Sequence, residues 1–194
     1  MCFNGAQSWK LGWYSERSGT ATAPDLTTAG GQNVKLVALD DYLKGTTESV
    51  GNLVYRVASV ESGIYYYIMF NRKKGVTSET QEAPDLVTVT RGYYSDSDPG
   101  TWLDAKLGAG ETFRVNKYAR KKPLIIEVCD IVVGDPVEMD HAVVNVYWGQ
   151  LPSTCDGGGG GDGGGGGDGT CSDYSGNKKG CEAAGCVFSK GQCT

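Results

Sequence analysis

The residues of this chain whose types could support chemistry are its cysteines, its carboxylates and one histidine. Seven cysteines and a single histidine, His141, occur among 194 residues. A hydrolytic zinc centre uses three protein ligands and an open position for water, so one histidine cannot supply it alone. His141 follows Glu138 and Asp140 and precedes an apolar run, which favours a surface histidine at the start of a strand. The sequence therefore predicts no catalytic or metal-binding residue in this chain.

Four cysteines are crowded into the last 24 residues: Cys171, Cys181, Cys186 and Cys193. Zinc held by four thiolates usually shows paired Cys-x-x-Cys spacings, which this segment lacks. We predict two disulfides here, with three connectivities open, because so short a module cannot bury enough apolar surface to fold without them. Cys129, inside the apolar run IIEVCDIVV, is expected to be buried or disulfide-bonded. Cys155 is the other candidate for a disulfide.

Carboxylate pairs occur at Asp40-Asp41, at Asp96 and Asp98, and at Asp135 and Glu138. Glycosidases place two carboxylates across a cleft, but each of these pairs lies in a turn, where aspartate is favoured for backbone hydrogen bonding. We therefore predict turn residues, with a structural calcium at one of these loops left open. A Gly-x-Ser-x-Gly nucleophile motif and a phosphate-binding glycine loop are both absent from the sequence.

Aromatic residues offer a binding interpretation. A stacking platform for sugars or for an extended peptide could be drawn from Tyr65, Tyr66, Tyr67, Tyr93, Tyr94, Trp102, Tyr147 and Trp148. The three consecutive tyrosines must place rings on both faces of their strand, since side chains alternate along a strand. The competing interpretation, which we favour, is that these rings pack the core of a β-sheet domain and its rim.

Charge and hydropathy exclude two classes of partner. The formal net charge is −5, and no basic face that would suit a nucleic acid is evident. The densest basic runs, Arg72-Lys73-Lys74 and Arg120-Lys121-Lys122, are predicted to be solvated turn residues. No stretch approaches the roughly 18 apolar residues that a membrane helix needs. The cysteine content predicts an oxidising, extracellular compartment, although the chain begins without a signal peptide.

The elements that would position these residues fall into four parts. Residues 1–17 predict a short helix, with Asn4 as its N-cap and Gly12 at its end, and residues 18–33 predict a loop. Short strand-like runs over residues 34–151 predict a mainly β domain, an antiparallel β-sandwich of jelly-roll type. Residues 156–169 (DGGGGGDGGGGGDG) predict a flexible linker, and residues 171–194 form the cysteine module.

Two segments stand out: MCFNGAQSWKLGWY (1–14) and IYYYIMFNRKKGVTSETQEA (64–83). Both resemble the gametolysin family of secreted zinc metallopeptidases. The first is similar to the helix that closes the family's catalytic domain, and the second is similar to a strand and loop of its C-terminal β-domain. The likeness covers about residues 1–150. It implies that the HExxHxxGxxH helix, its glutamate and the Met-turn lie upstream of Met1, so no catalytic or zinc-binding residue is carried over to this chain.

The resemblance implies a function. The chain would be the non-catalytic C-terminal portion of a secreted zinc endopeptidase that acts on extracellular matrix or cell-wall glycoproteins, with the zinc and the catalytic domain supplied upstream in cis. Residues 1–17 would be the terminal helix of that domain, and Cys2 would have its disulfide partner there. The alternative is a stand-alone extracellular β-sandwich that binds carbohydrate or glycoprotein. A third possibility is a decayed, inactive fragment.

Overall fold

The structure is a computed structural model. It describes residues 4–22, 26, 31–42, 51–59, 61, 63–93, 100–134, 139–149, 155, 188–189 and 192–193. The chain divides into two compact units, residues 1–158 and 159–194. The second unit contributes a small antiparallel hairpin, β10 (Phe188–Ser189) and β11 (Gln192–Cys193). The first unit contains all the features described below.

Nine strands of the first unit form two sheets. The five-stranded sheet has the order β1 (Ser18–Thr22), β3 (Val54–Ala58), β4 (Ile64–Asn71), β5 (Leu86–Tyr93) and β6 (Thr101–Leu107). The four-stranded sheet has the order β2 (Gln32–Val37), β9 (His141–Trp148), β8 (Lys122–Val132) and β7 (Thr112–Ala119). Consecutive strands pair antiparallel from β3 to β6 and from β7 to β9.

The main core lies between the two sheets. Alternate residues of each strand point inward, so Ile68 and Phe70 of β4 meet Ile126 of β8 and Val144 of β9 in one buried apolar cluster. A second cluster lies on the outer face of the five-stranded sheet and contains Tyr65 and Tyr67. Burial on both faces explains why β4 reads as a nearly continuous apolar run.

The mainly β, two-sheet prediction is therefore confirmed, and the jelly-roll refinement stays a prediction. The expectation of a wholly antiparallel arrangement is wrong at one pair, because β1 runs parallel to β3. Strand β1 also lies in the segment that we predicted to be a loop. Arg17, just before β1, is buried, and it donates to the carbonyls of Gly51 and Tyr42, so interactions distant in the sequence hold this strand in place.

The predicted helix is present as α1 (Gly5–Lys10). The Asn4 carboxamide oxygen accepts the backbone N–H of Gln7 at 2.9 Å, which makes Asn4 the N-cap as predicted. The helix packs on the outer face of the five-stranded sheet. Trp9 lies 6.2 Å from the ring of Tyr67, and the guanidinium of Arg56 lies 4.4 Å from the Trp9 ring centroid.

Cys129 and Cys155 are joined by a disulfide. Cys129 is the extra residue of a β-bulge in β8, since Val128 pairs with Val144 and Asp130 with Val143. The bulge interrupts the alternation of side chains along β8 at this point. Closing a loop over a sequence separation of 26 contributes about 3 kcal/mol to stability by restricting the unfolded chain.

Several predictions fall outside the described residues. They concern the linker 156–169, the cysteines Cys2, Cys171, Cys181 and Cys186, the carboxylates Asp96, Asp98, Asp135 and Glu138, and Tyr94. Cys193 lies in β11, and the pairing of its sulfur is likewise outside the described part. Within the described ranges, the structure contains no helix that is long and apolar enough to cross a membrane.

Candidate binding groove

A groove of about 490 Å³ lies on the outer face of the five-stranded sheet. Its floor is formed by Met69 of β4 and by Thr88 and Thr90 of β5. These side chains point outward because Val87 and Val89, their neighbours along β5, point into the main core. The Thr88 hydroxyl donates to the Met69 carbonyl at 3.2 Å, so much of the floor's hydrogen-bonding capacity is used within the sheet.

One wall of the groove is the loop between β4 and β5, residues 72–85, which we call the wall loop. It presents Val76, Thr77, Glu79, Thr80, Gln81 and Glu82 to the groove. Val76 is 75% exposed, an unusual state for a large apolar side chain. Asn71 closes the base of the loop by donating to the carbonyls of Glu82 at 2.6 Å and Ala83 at 3.0 Å.

Asp140 anchors the wall loop to the second sheet. This carboxylate precedes β9, is only 3% exposed, and lies 3.0 Å from both Arg72 Nε and Lys74 Nζ. It also accepts the backbone N–H of Gly134 at 2.7 Å. Arg72 forms a second ion pair with Asp85 at the far end of the loop. These four side chains, Arg72, Lys74, Asp85 and Asp140, are called the Asp140 clamp below.

The clamp changes the acidity of its carboxyl groups. Burial alone would raise the pKa of Asp140, but hydrogen bonds from Gly134, Lys74 and Arg72 outweigh it and lower the pKa to about 2. The pKa of Asp85 is also lowered, since its hydrogen bonds from the Lys73 amide and Arg72 likewise outweigh burial. Both carboxyl groups are therefore ionised at neutral pH. The prediction that Arg72-Lys73-Lys74 are merely solvated is wrong for Arg72 and Lys74.

Gly75 lets the wall loop approach the short 3-10 helix Leu39–Asp41 closely. Its φ is +51°, and a Cβ added there would overlap the carboxylate of Asp40. Only glycine combines this backbone conformation with so little space. Thr77 donates its hydroxyl to the carbonyls of Arg72 and Lys74, which fixes the next turn of the loop.

The opposite side of the groove is formed by Asn4 of the helix N-terminus and Leu103 of β6. Asn4 donates its side-chain N–H to the Thr101 hydroxyl at 3.0 Å, which ties the helix to β6. Leu103 is 40% exposed. A β-bulge lies beside it, because Val89 pairs with Ala105 and Thr90 with Leu103, leaving Asp104 as the extra residue.

The other face of β6 carries an exposed aromatic pair. The rings of Tyr93 and Trp102 meet edge to face with centroids 5.5 Å apart. The guanidinium of Arg91 lies 5.5 Å from the Trp102 ring centroid, and its Nε lies 3.4 Å from Asp104. Seven large apolar side chains of the described residues remain exposed, and four of them belong to this pair or to the groove. Two of the four, Val76 and Leu103, line the groove, and the other two, Tyr93 and Trp102, form the pair on the opposite face of β6.

The structure separates the aromatic residues proposed from the sequence. Tyr93 and Trp102 are exposed, whereas Tyr65, Tyr66, Tyr67, Tyr147 and Trp148 are buried. The described tyrosines and tryptophans of the proposed platform therefore pack the fold, apart from this one pair.

The remaining candidates take structural positions. His141 begins β9 as predicted, but it is buried rather than on the surface, and its Nδ1 lies 2.8 Å from the Met139 carbonyl. Asp41 is buried in a short 3-10 helix. Among the described residues, no three side chains of histidine, cysteine, aspartate or glutamate converge to hold a metal ion.

Sequence reasoning missed the groove itself. Its floor threonines and its wall loop carry no chemical motif, and they become neighbours only through strand pairing between β4, β5 and β6. The available signal was the run NRKKGVTSETQEA directly after a buried strand, a long polar connection where a tight hairpin would suffice.

Comparisons of the chain with protein-family models, with curated proteins and with solved structures find no match.

We expect Asp140→Asn to lower the free energy of unfolding at pH 7 by about 2 kcal/mol, because a pKa shift from 3.8 to about 2 corresponds to that energy. A carboxyl whose folded pKa is lowered stabilises the fold above its unfolded pKa. The difference between wild type and variant should therefore be full at pH 5 and disappear as the pH falls towards about 2. Urea unfolding at several pH values measures this.

Asp130→Asn is the matched control, because Asp130 is an exposed carboxylate on β8. Its effect should stay within about 0.5 kcal/mol at every pH. A stability difference for Asp140→Asn that does not vary between pH 5 and pH 2 would contradict the clamp.

Proposed function

We propose that this chain is the non-catalytic, substrate-holding β-sandwich of a gametolysin-like, secreted zinc endopeptidase that acts on matrix or cell-wall glycoproteins. The catalytic domain and its zinc would be supplied upstream in cis. The Cys129–Cys155 disulfide supports the extracellular part of the proposal, since such bonds persist in oxidising compartments.

The observation that carries the proposal is the position of the two segments that resemble the family. Helix α1 lies in the first segment, and β4 with most of the wall loop lies in the second. Of the twelve residues that line the groove, nine belong to segments 1–14 and 64–83: Asn4, Met69, Asn71, Val76, Thr77, Glu79, Thr80, Gln81 and Glu82. The two segments that carry the resemblance therefore line one concave surface.

The chemistry of the groove suits a peptide segment of a glycoprotein. Apolar contacts are available from Met69 on the floor, Val76 on the wall loop and Leu103 on β6. Polar groups surround them: hydroxyls of the threonines and the carboxylate of Glu79. Glu82 is held in an ion pair with Lys106. Apolar anchors within a polar rim are typical of surfaces that bind peptides.

An antibody raised against residues 34–151 tests the link to a peptidase. In the secreted fraction of the source cells it should detect a polypeptide much larger than 20.5 kDa. Mass spectrometry of the captured polypeptide should find a tryptic peptide that contains an HExxH segment. A secreted polypeptide of 20.5 kDa alone would reject the peptidase link and leave the binding module standing.

We expect the double variant Val76→Asn/Leu103→Gln to weaken retention on immobilised cell-wall glycoprotein at least tenfold, since two apolar contacts that the ligand would bury contribute on the order of 1–3 kcal/mol. Isothermal titration calorimetry or surface plasmon resonance measures the affinity. Folding should be unaffected, because both side chains are exposed.

The matched control is Val133→Asn/Leu11→Gln, which removes one exposed valine and one exposed leucine elsewhere in the first unit. Its affinity should equal that of the wild type. Equal losses in both double variants, or no saturable binding by the wild type, would overturn the role of the groove.

The exposed Tyr93–Trp102 pair favours a second candidate function, that of a stand-alone module that binds carbohydrate. Aromatic rings stack on the apolar faces of sugars, and Arg91 with Asp104 beside the pair offers hydrogen-bonding groups. This function needs no catalytic partner.

If the second function holds, Trp102→Ala should abolish binding to protein-free wall polysaccharide. Trp13→Ala should leave that binding unchanged. The two tryptophans are 42% and 41% exposed, and each meets a tyrosine edge to face, so the pair of variants is closely matched. Affinity electrophoresis in gels containing the polysaccharide measures the difference. Unchanged migration of Trp102→Ala rejects carbohydrate binding at this surface.

A further inference from the structure

The hairpin β7–β8 carries a concentration of positive charge that the proposed function does not use. Five of the nine residues from 114 to 122 are lysine or arginine, and none is a carboxylate, in a chain with a net charge of −5. The five are Arg114, Lys117, Arg120, Lys121 and Lys122, and all are exposed. We call these five side chains the basic hairpin.

The charges of the basic hairpin are largely uncompensated. Lys117 and Lys121 have no ion-pair partner among the described residues. Arg120 has only a long contact with Glu61, 3.9 Å between Nε and the carboxylate oxygen. Lys122 lies over the ring of Trp148 at 4.9 Å, which positions its ammonium without neutralising it. Like charges on one hairpin repel one another and together attract an anion.

The turn of the hairpin is strained. Ala119 pairs with Lys122, so Arg120 and Lys121 form a two-residue loop, and their φ angles are +44° and +60°. Both positions of such a turn favour asparagine and glycine, because other residues are disfavoured in the left-handed region. Arginine and lysine thus occupy two positions where asparagine and glycine would make the turn more stable. Strain that is kept in this way points to a role for the side chains themselves.

We propose that the basic hairpin binds a linear anionic polysaccharide, through its sulfate or carboxylate groups. The cations follow an edge strand and its turn. Arg114 lies opposite Ile125, four residues from Lys121 at the tip, so the row spans about 13 Å at the rise of a β-strand. A row of this length suits an extended chain with repeated charges better than a single small anion. The disulfide of β8, on the same hairpin, fits an extracellular polyanion better than a nucleic acid.

Binding to dextran sulfate, with neutral dextran of equal length as the control, tests the proposal on the whole chain. We expect saturable binding that falls steeply as salt rises to about 0.5 M, since screening weakens exposed charge pairs. Polygalacturonate in place of dextran sulfate tells carboxylate from sulfate recognition. Binding of duplex DNA or of anionic lipid vesicles as tightly as of both polysaccharides would overturn the assignment of the ligand.

Two double variants separate the hairpin from general charge. Lys117→Gln/Lys121→Gln should weaken binding about tenfold, each exposed ion pair contributing a few-fold. Lys10→Gln/Lys35→Gln removes the same net charge elsewhere and should weaken it less than about twofold. Equal losses in the two variants would overturn the proposal.

A turn variant separates binding from folding. Arg120→Asn/Lys121→Gly relieves the left-handed strain and should raise the melting temperature by about 3 °C while weakening binding about tenfold. Glu61→Gln keeps an oxygen to accept the Arg120 N–H, a bond of 3.0 Å, but removes the opposing charge, and should strengthen binding. A turn variant that binds dextran sulfate as well as the wild type would show that the tip takes no part.

Discussion

The buried carboxylate of Asp140 is the constraint on which the candidate groove depends. It precedes β9 in the four-stranded sheet, yet its partners Arg72 and Lys74 begin the wall loop of the other sheet. Removing such a charge from water is costly unless hydrogen bonds and opposite charges replace its hydration, and here both do. Because Arg72 also reaches Asp85, one carboxylate fixes the start of the wall loop directly and its end indirectly.

The same interaction explains why a long polar loop can form one side of a concave surface. Loops of this length usually pack against their own side chains. Here Val76 remains outside that packing. The clamp ties the loop to the four-stranded sheet, and Asn71 and Thr77 donate hydrogen bonds to carbonyls of the loop. Gly75 allows the contact with Asp40 that brings the loop close. These contacts fix the backbone on both sides of Val76, so its side chain is held away from the main core.

Local patterns predicted those parts of the structure that depend on neighbours in the sequence. The helix with its Asn4 cap and the alternation in β3 and β9 follow from such patterns. The parallel pairing of β1 and the ion pairs of Asp140 did not follow, because they join residues far apart in the sequence. Periodicity also could not tell exposed from buried aromatics, since β4 is covered on both faces. Tyr93 and Trp102 are exposed because they lie where β5 ends and the edge strand β6 begins.

The edge strand β6 gives the molecule two physically separate surfaces. Successive side chains of a strand point to opposite faces, so Trp102 joins Tyr93 and Arg91 on one face while Leu103 lines the groove on the other. The bulge at Asp104 adds one residue beside them and shifts the alternation for the rest of the strand, which returns Leu107 to the main core. The two ligands proposed above, one for the groove and one for the aromatic pair, would therefore contact adjacent residues without sharing a surface. A single substitution on β6 that removes one of the two proposed binding activities need not disturb the other.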